Sequence, residues 1–132
     1  MTEIAPPPDR GNGRVLVVDD QTLLLRSLKR VLREHPVETA ETAAEALAHV
    51  EEHGDYSLVL CDLTLDDTAS GMDLYRKLVE RGTGAERALV FMTGWPKDAD
   101  RQFLDSLPNP FILKPFNIAD VRDLARRFLI RE

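Results

Sequence analysis

Short apolar runs punctuate the chain at 14–18, 57–61, 88–92 and 111–113, and Val37 to Ala40 reads as a weaker strand. Between them, apolar residues recur at helical spacing. A first helix over about 20–34 places Leu24, Leu25, Leu28, Val31 and Leu32 on one face. Thr42-Ala43-Ala44-Glu45 has the form of a capping box and opens a second helix carrying Ala44, Leu47 and Ala48. A polar loop, Thr64 to Ser70, ends at Gly71, and a third helix over about 72–81 turns Leu74, Leu78 and Val79 inward. Pro96 suits the first turn of a fourth helix over about 97–106, and Pro108 and Pro110 bracket the turn before the last run. Asn117 caps a final helix with Ile118, Val121, Leu124, Ala125, Phe128 and Leu129 along one side.

Runs that are continuous rather than alternating predict strands buried on both faces. Five βα units of this kind make an α/β fold, a five-stranded parallel sheet doubly wound with helices. Its crossovers are right-handed, and its ligands bind at the carboxyl ends of the strands. Met1 to Gly13, with Pro6-Pro7-Pro8 and Gly11-Asn12-Gly13, reads as a disordered leader or linker before one domain spanning 14–132. The Gly-x-Gly there precedes the first strand, so it is no phosphate-binding loop.

The polar residues at the ends of these runs carry the chemistry. The first strand ends at Asp19-Asp20, the third at Asp62, the fourth at Thr93 and the fifth at Lys114. Parallel strands bring these ends to one crevice holding three carboxylates, a hydroxyl and an ammonium. Such a carboxylate cluster is costly without a cation among its members. Mg2+ fits an all-oxygen site and keeps positions open for a phosphate oxygen. One carboxylate, best Asp62 on the central-looking strand, then becomes the nucleophile toward phosphorus, with Lys114 and Thr93 binding phosphoryl oxygens. Singly, Asp20 fits a helix cap and Lys114-Pro115 an ordinary turn. The set of four strand ends, in order, is what points to a site.

Bulk properties narrow the partners. The net charge of −6 and pI near 5.1 give no reason to expect binding to nucleic acid or to an anionic membrane. Arg126, Arg127 and Arg131 read as a solvated face near a helix end. The single cysteine, Cys61, excludes an internal disulfide and reads as a small buried side chain. With no secretory signal and no long apolar stretch, a cytoplasmic location is expected. His49 and His53 share a helix face at a spacing that also serves metals, with no further histidine or cysteine placed to join them. His35 falls near the end of the first helix, where it complements the helix dipole.

Residues 14–131 resemble the receiver domains of two-component signalling, the response-regulator family. The motifs that carry the resemblance are Val17-Val18-Asp19-Asp20, the strand-ending Asp62, Thr93-Gly94 and Leu113-Lys114-Pro115-Phe116. The resemblance implies a flavodoxin-like receiver fold and phosphorylation of Asp62 by a phosphohistidine of a histidine kinase or phosphotransfer protein. It also implies direct Mg2+ ligation by Asp20 and Asp62, with Asp19 acting through water and the Thr64 backbone carbonyl adding a ligand. A cis peptide is implied at Lys114-Pro115. Thr93 and the aromatic Phe111 become switch residues that reshape the fourth helix, fifth strand and fifth helix, with Lys97, Arg101, Phe111 and the outer face of 117–131 as output positions. The pattern around Met92-Thr93-Gly94 and Asn109-Pro110 is similar to that of receivers attached to hybrid histidine kinases. With no DNA-binding segment after Glu132, output by protein contact is expected.

The chain departs from the family after the phosphoacceptor. Leu65-Asp66 replaces the usual Met-Pro, the Asp62–Gly71 loop is one residue longer, and Asp66 and Asp67 add charge at the mouth. Trp95 either shields an acyl phosphate or packs on the fourth helix. Three other functions share parts of this pattern. A phosphohydrolase needs a second aspartate two residues after the nucleophile, where Thr64 stands. A flavin carrier is opposed by the repulsion of Asp19-Asp20 for a flavin phosphate. A degenerate scaffold is opposed by a site with no member missing.

Overall fold

The computed structural model of the chain describes residues 12–65, 70–94 and 98–129. Five strands, β1 (Val15–Val18), β2 (Val37–Ala40), β3 (Leu58–Asp62), β4 (Leu89–Thr93) and β5 (Phe111–Leu113), form one sheet. They alternate with helices α1 (Thr22–Val31), α2 (Ala43–His53), α3 (Gly71–Glu80), α4 (Asp98–Asp105) and α5 (Ile118–Leu129). All pairings are parallel, in the order β2-β1-β3-β4-β5. The order reverses direction beside β1, so β1 and β3 are adjacent and their carboxyl ends flank the crevice typical of doubly wound sheets.

Successive residues of each strand point to opposite faces, and the core accordingly divides in two. Leu16, Val18, Val59, Cys61, Leu89 and Phe91 pack with α2, α3 and α4, joined by Val50, Leu74, Leu78 and Leu104. Val15, Val17, Leu58, Leu60, Val90 and Met92 pack with α1 and α5 through Leu25, Leu28, Val121, Leu124 and Phe128. Both faces of β1, β3 and β4 are sealed, which is why those segments read as unbroken apolar runs.

Several details differ from the sequence reading. The inward residues of α2 are Ala43, Ala46 and Val50, with Leu47 half-buried, whereas Ala44 and Ala48 face solvent. Val79 is 44% exposed and Ile118 53% exposed; Tyr75 packs against the core from α3 instead. The α2 cap is built half as expected. Thr42 accepts the Glu45 N–H at 3.1 Å, but the Glu45 carboxylate accepts from Glu41 N–H rather than from Thr42. A complete capping box does occur at α3, where Ser70 and Asp73 exchange bonds. A short 3-10 turn at Ala85–Ala88 precedes β4 and was not anticipated. Asn12 and Gly13, assigned by sequence to the leader, bond to Asp55, His53 and Ser57 and so belong to the folded unit. His35 and the basic side chains Arg30, Arg33, Arg122 and Arg126 line a cleft of about 610 Å3 between α1 and α5, well away from the strand-end aspartates. Among the described residues, no helix is long and apolar enough to cross a membrane.

Candidate functional site

The carboxyl ends of β1 and β3 lie side by side because Val18 pairs with Cys61. The next residues, Asp19 and Asp62, therefore emerge together, and Asp20 comes directly after. Oxygens of Asp19, Asp20 and Asp62 lie within 4.8 Å of one another. Burial separates the three. Asp19 is fully enclosed, Asp62 half-buried and Asp20 exposed.

Hydrogen bonds define the roles open to each. Asp19 Oδ1 accepts the Gln21 N–H at 2.9 Å, and its Oδ2 accepts from Lys114 Nζ at 2.8 Å. Asp62 Oδ1 accepts the Thr64 N–H at 3.1 Å, and its Oδ2 accepts from Lys114 Nζ at 3.3 Å. The ammonium thus bridges two aspartates that would otherwise face each other as bare charges. Asp20 does not cap α1: the cap position is Gln21, with no side-chain cap bond. The structural alternative raised for Asp20 by sequence is thereby removed.

Lys114 is aimed by its backbone. Its N–H donates to the Thr93 carbonyl at 2.8 Å, tying the end of β5 to the end of β4, and the Lys114-Pro115 peptide is cis, as the resemblance implied. Thr93 closes β4 and is buried, one residue beyond Met92, which pairs with Asp62 across β3 and β4. Phe111 opens β5, half-buried, and packs against the core on the α2–α4 side, as Phe103 and Leu107 also do. Thr64 is exposed. Asp66, Asp67, Trp95 and Lys97 lie outside the described residues.

Electrostatics derive from burial. Desolvation pushes the Asp62 carboxyl above its ordinary range; the Thr64 N–H and Lys114 pull down less strongly, and Asp19 adds to the rise. For Lys114, burial favours loss of the proton, but the hydrogen bond to Asp19 and the charge of Asp62 outweigh it and hold the ammonium above its usual value. The Cys61 thiol is pushed up strongly by complete burial and then by the nearby Asp62 and Asp19, which makes it inert. The site presents three anions to one cation, an arrangement suited to a divalent ion and to a phosphoryl group placed beside it.

One contributor escaped the sequence reading. A Cβ at Gly71 would lie 2.5 Å from the Asp62 carbonyl oxygen and 3.0 Å from Leu63 Cα. The first turn of α3 therefore rests directly on the backbone that presents Asp62, with the Gly71 N–H donating to the Leu63 carbonyl at 2.9 Å. The signal available was Ser70-Gly71-Met72-Asp73, a cap spacing that starts the helix at Gly71.

A doubly wound sheet with this set of strand ends defines a class of phosphoryl-signalling proteins. The sequence model for the response regulator receiver domain matches residues 15–126, and the chain belongs to that family. It is 30% identical over 112 residues to the phyllosphere-induced regulator PhyR of Methylorubrum extorquens, a similarity covering 81% of this chain and 40% of that one. The chain thus spans less than half the length of that relative. Among solved structures, a CheY-like response regulator receiver domain protein from Methanospirillum hungatei is 32% identical, with a TM-score of 0.76 over 88% of this chain and 92% of that one. The receiver domain of sensor histidine kinase PA1611 from Pseudomonas aeruginosa, solved with a magnesium ion coordinated in its active-site cleft, has a TM-score of 0.75 at 20% identity. That match covers 95% of this chain and 98% of that one, and it concerns the fold.

Proposed function

We propose that this receiver domain is a phosphorylation switch in which Asp62 accepts a phosphoryl group from a phosphohistidine of a histidine kinase or phosphotransfer protein. The observation that carries the reading is the meeting of the Asp19, Asp20 and Asp62 carboxylates within 4.8 Å, with Lys114 Nζ bonded to two of them. An all-oxygen donor set of this charge fits Mg2+. Asp20 and Asp62, with the Thr64 carbonyl, would hold the ion directly. Asp19, whose two oxygens are already bonded to Gln21 and Lys114, would act through water. The ion would neutralise the meeting of carboxylate and phosphoryl oxygens.

In the transfer, an Asp62 carboxylate oxygen forms a bond to phosphorus as the bond from phosphorus to the donor imidazole nitrogen breaks. The imidazole leaves and takes up a proton, and an acyl phosphate remains. Lys114 pairs with one phosphoryl oxygen and the Thr93 hydroxyl donates to another, so the contribution of the protein is positioning and charge. Thr93 drawn toward the phosphate opens room that Phe111 fills, and α4, β5 and α5 change their outer surface for a protein partner.

Incubation with acetyl phosphate and Mg2+, then intact-protein and peptide mass spectrometry, tests this. One phosphoryl mass on Asp62 is expected, with none on Asp62→Ala. A label at another residue, or many turnovers in place of a stoichiometric label, overturns the reading. The second outcome would favour a phosphohydrolase.

A further inference from the structure

A second cluster of ligating side chains lies where α2 ends against β2, apart from the strand-end aspartates. His49, Glu52 and His53 each present a donor atom, and these atoms lie within 4.8 Å of one another. The two imidazoles stack with centroids 6.2 Å apart and planes inclined by 17°. His53 Nε2 stands 4.0 Å from Glu52 Oε2 and 3.5 Å from Glu38 Oε1 on the adjoining strand. Two donors sharing a tetrahedral zinc ion at about 2.0–2.1 Å stand roughly 3.3 Å apart, so ion binding requires the near-parallel rings to rotate until their lone pairs converge.

Two observations beyond proximity point to a cation. His49 Nε2 lies 3.1 Å from the Thr39 carbonyl oxygen. A carbonyl can only accept, so Nε2 carries a proton, and Nδ1 is the nitrogen left to face a metal ion. Metal-bound histidines are fixed in this manner, by a second ring nitrogen donating to a carbonyl. In addition, Glu38 Oε1 lies between Arg14 and His53, while Oε2 of the same carboxylate is buried with no hydrogen-bond partner among the described residues. A buried carboxylate oxygen without a donor is costly, and a cation beside it removes the cost. Glu38 and Glu52 against Arg14 leave the cluster with one excess negative charge.

We infer that His49, His53 and Glu52, with Glu38 as the fourth donor, form a binding site for a divalent transition-metal ion such as Zn2+. Nitrogen donors exclude Mg2+ from this site and favour zinc or its neighbours. An ion bound there joins the last turn of α2 to the edge strand β2. Cys61 does not compete, being fully buried.

The test is calorimetric titration of the whole chain with Zn2+ alone as ligand, in excess Mg2+ so that the acidic strand-end site is saturated. One Zn2+ per chain is expected, with affinity falling at least about tenfold in each of His49→Gln and His53→Gln and persisting in Asp62→Ala. Ring-nitrogen NMR of the unsubstituted chain gives a reading that does not depend on how the variants fold: Zn2+ should shift His49 and His53 but not His35. No binding, binding unaffected by both histidine variants, binding lost in Asp62→Ala, or unshifted His49 and His53 resonances would each overturn the assignment.

Discussion

Asp62 is held in a place that disfavours its own charge. Its folded-state pKa is raised, chiefly by desolvation, so its stabilising contribution is complete below the ordinary carboxylate range and is lost as pH rises through the folded value. Near neutral pH the ionised side chain therefore works against the fold. Asp62→Asn is expected to raise the urea midpoint at pH 7 without divalent ions, and added Mg2+ should narrow the gap by stabilising the parent chain alone. Lys114→Ala should move the opposite way. It strips the ammonium from an aspartate that is 0% exposed, and such losses cost about 3–5 kcal/mol for fully buried pairs. Because Lys114 keeps some contact with solvent, about 2 kcal/mol is the expected loss. A midpoint for Asp62→Asn at or below that of the parent would refute the electrostatic account. Asp19, Asp20, Asp62, Thr93 and Lys114 were all legible in the sequence, since each lies at or just past the end of an apolar run. Which aspartate is enclosed was not, because that depends on where β1 stops and how the chain turns toward α1.

The third helix shows what a single element adds to the site. Ser70 accepts the Asp73 N–H, and the Asp73 carboxylate accepts the Ser70 N–H at 2.8 Å. Ser70→Ala should cost about 1 kcal/mol in chemical denaturation. The Asp73 carboxyl is pulled below its ordinary range, first by the Ser70 N–H. Its contribution is thus present above the unfolded pKa and lost as pH falls through the lower folded value. The stability difference between the parent and Asp73→Asn should shrink below about pH 4, and a difference constant through that range would exclude the carboxylate as its source. Gly71→Ala sets two effects against each other. Alanine is favoured within helices by about 1 kcal/mol, whereas contact at 2.5 Å with backbone forces a shift that typically costs about 1–3 kcal/mol. The close approach should win, and phosphorylation should slow because the displaced atom belongs to Asp62. β2 and β5 occur within the bounds read from sequence, since turn residues punctuate them on both sides. Helix faces were less legible. Alanine fits either side of α2, Val79 lies at the edge of its apolar stripe, and Ile118 precedes the point where α5 meets the sheet.

At the scale of the molecule, the sheet divides two cores while the site spans several strand ends, so a change at the site can reach either core. Thr93 is the joint between them. Its backbone carbonyl accepts from Lys114 N–H, its strand carries Phe91 into one core and Met92 into the other, and its pairing partner Leu113 lies two residues beyond Phe111. In the proposed switch, a hydroxyl drawn toward a phosphoryl group on Asp62 would pull on β4 where β5 is registered against it. Packed elements move between discrete arrangements rather than yielding continuously, and the effect should appear along α4 and α5. This separates acceptance of the phosphoryl group from its readout. Thr93→Ala should still be labelled once on Asp62 by acetyl phosphate and Mg2+, since the nucleophile, Lys114 and the acidic residues remain. In amide NMR, the parent chain should show phosphorylation-dependent shifts near Asp62 and also across residues 98–129. Thr93→Ala should keep the first set and lose most of the second, because its methyl group cannot donate to the phosphoryl oxygen. Equal shifts across 98–129 in both proteins would show that the surface responds to the charge on Asp62 without the Thr93 hydroxyl.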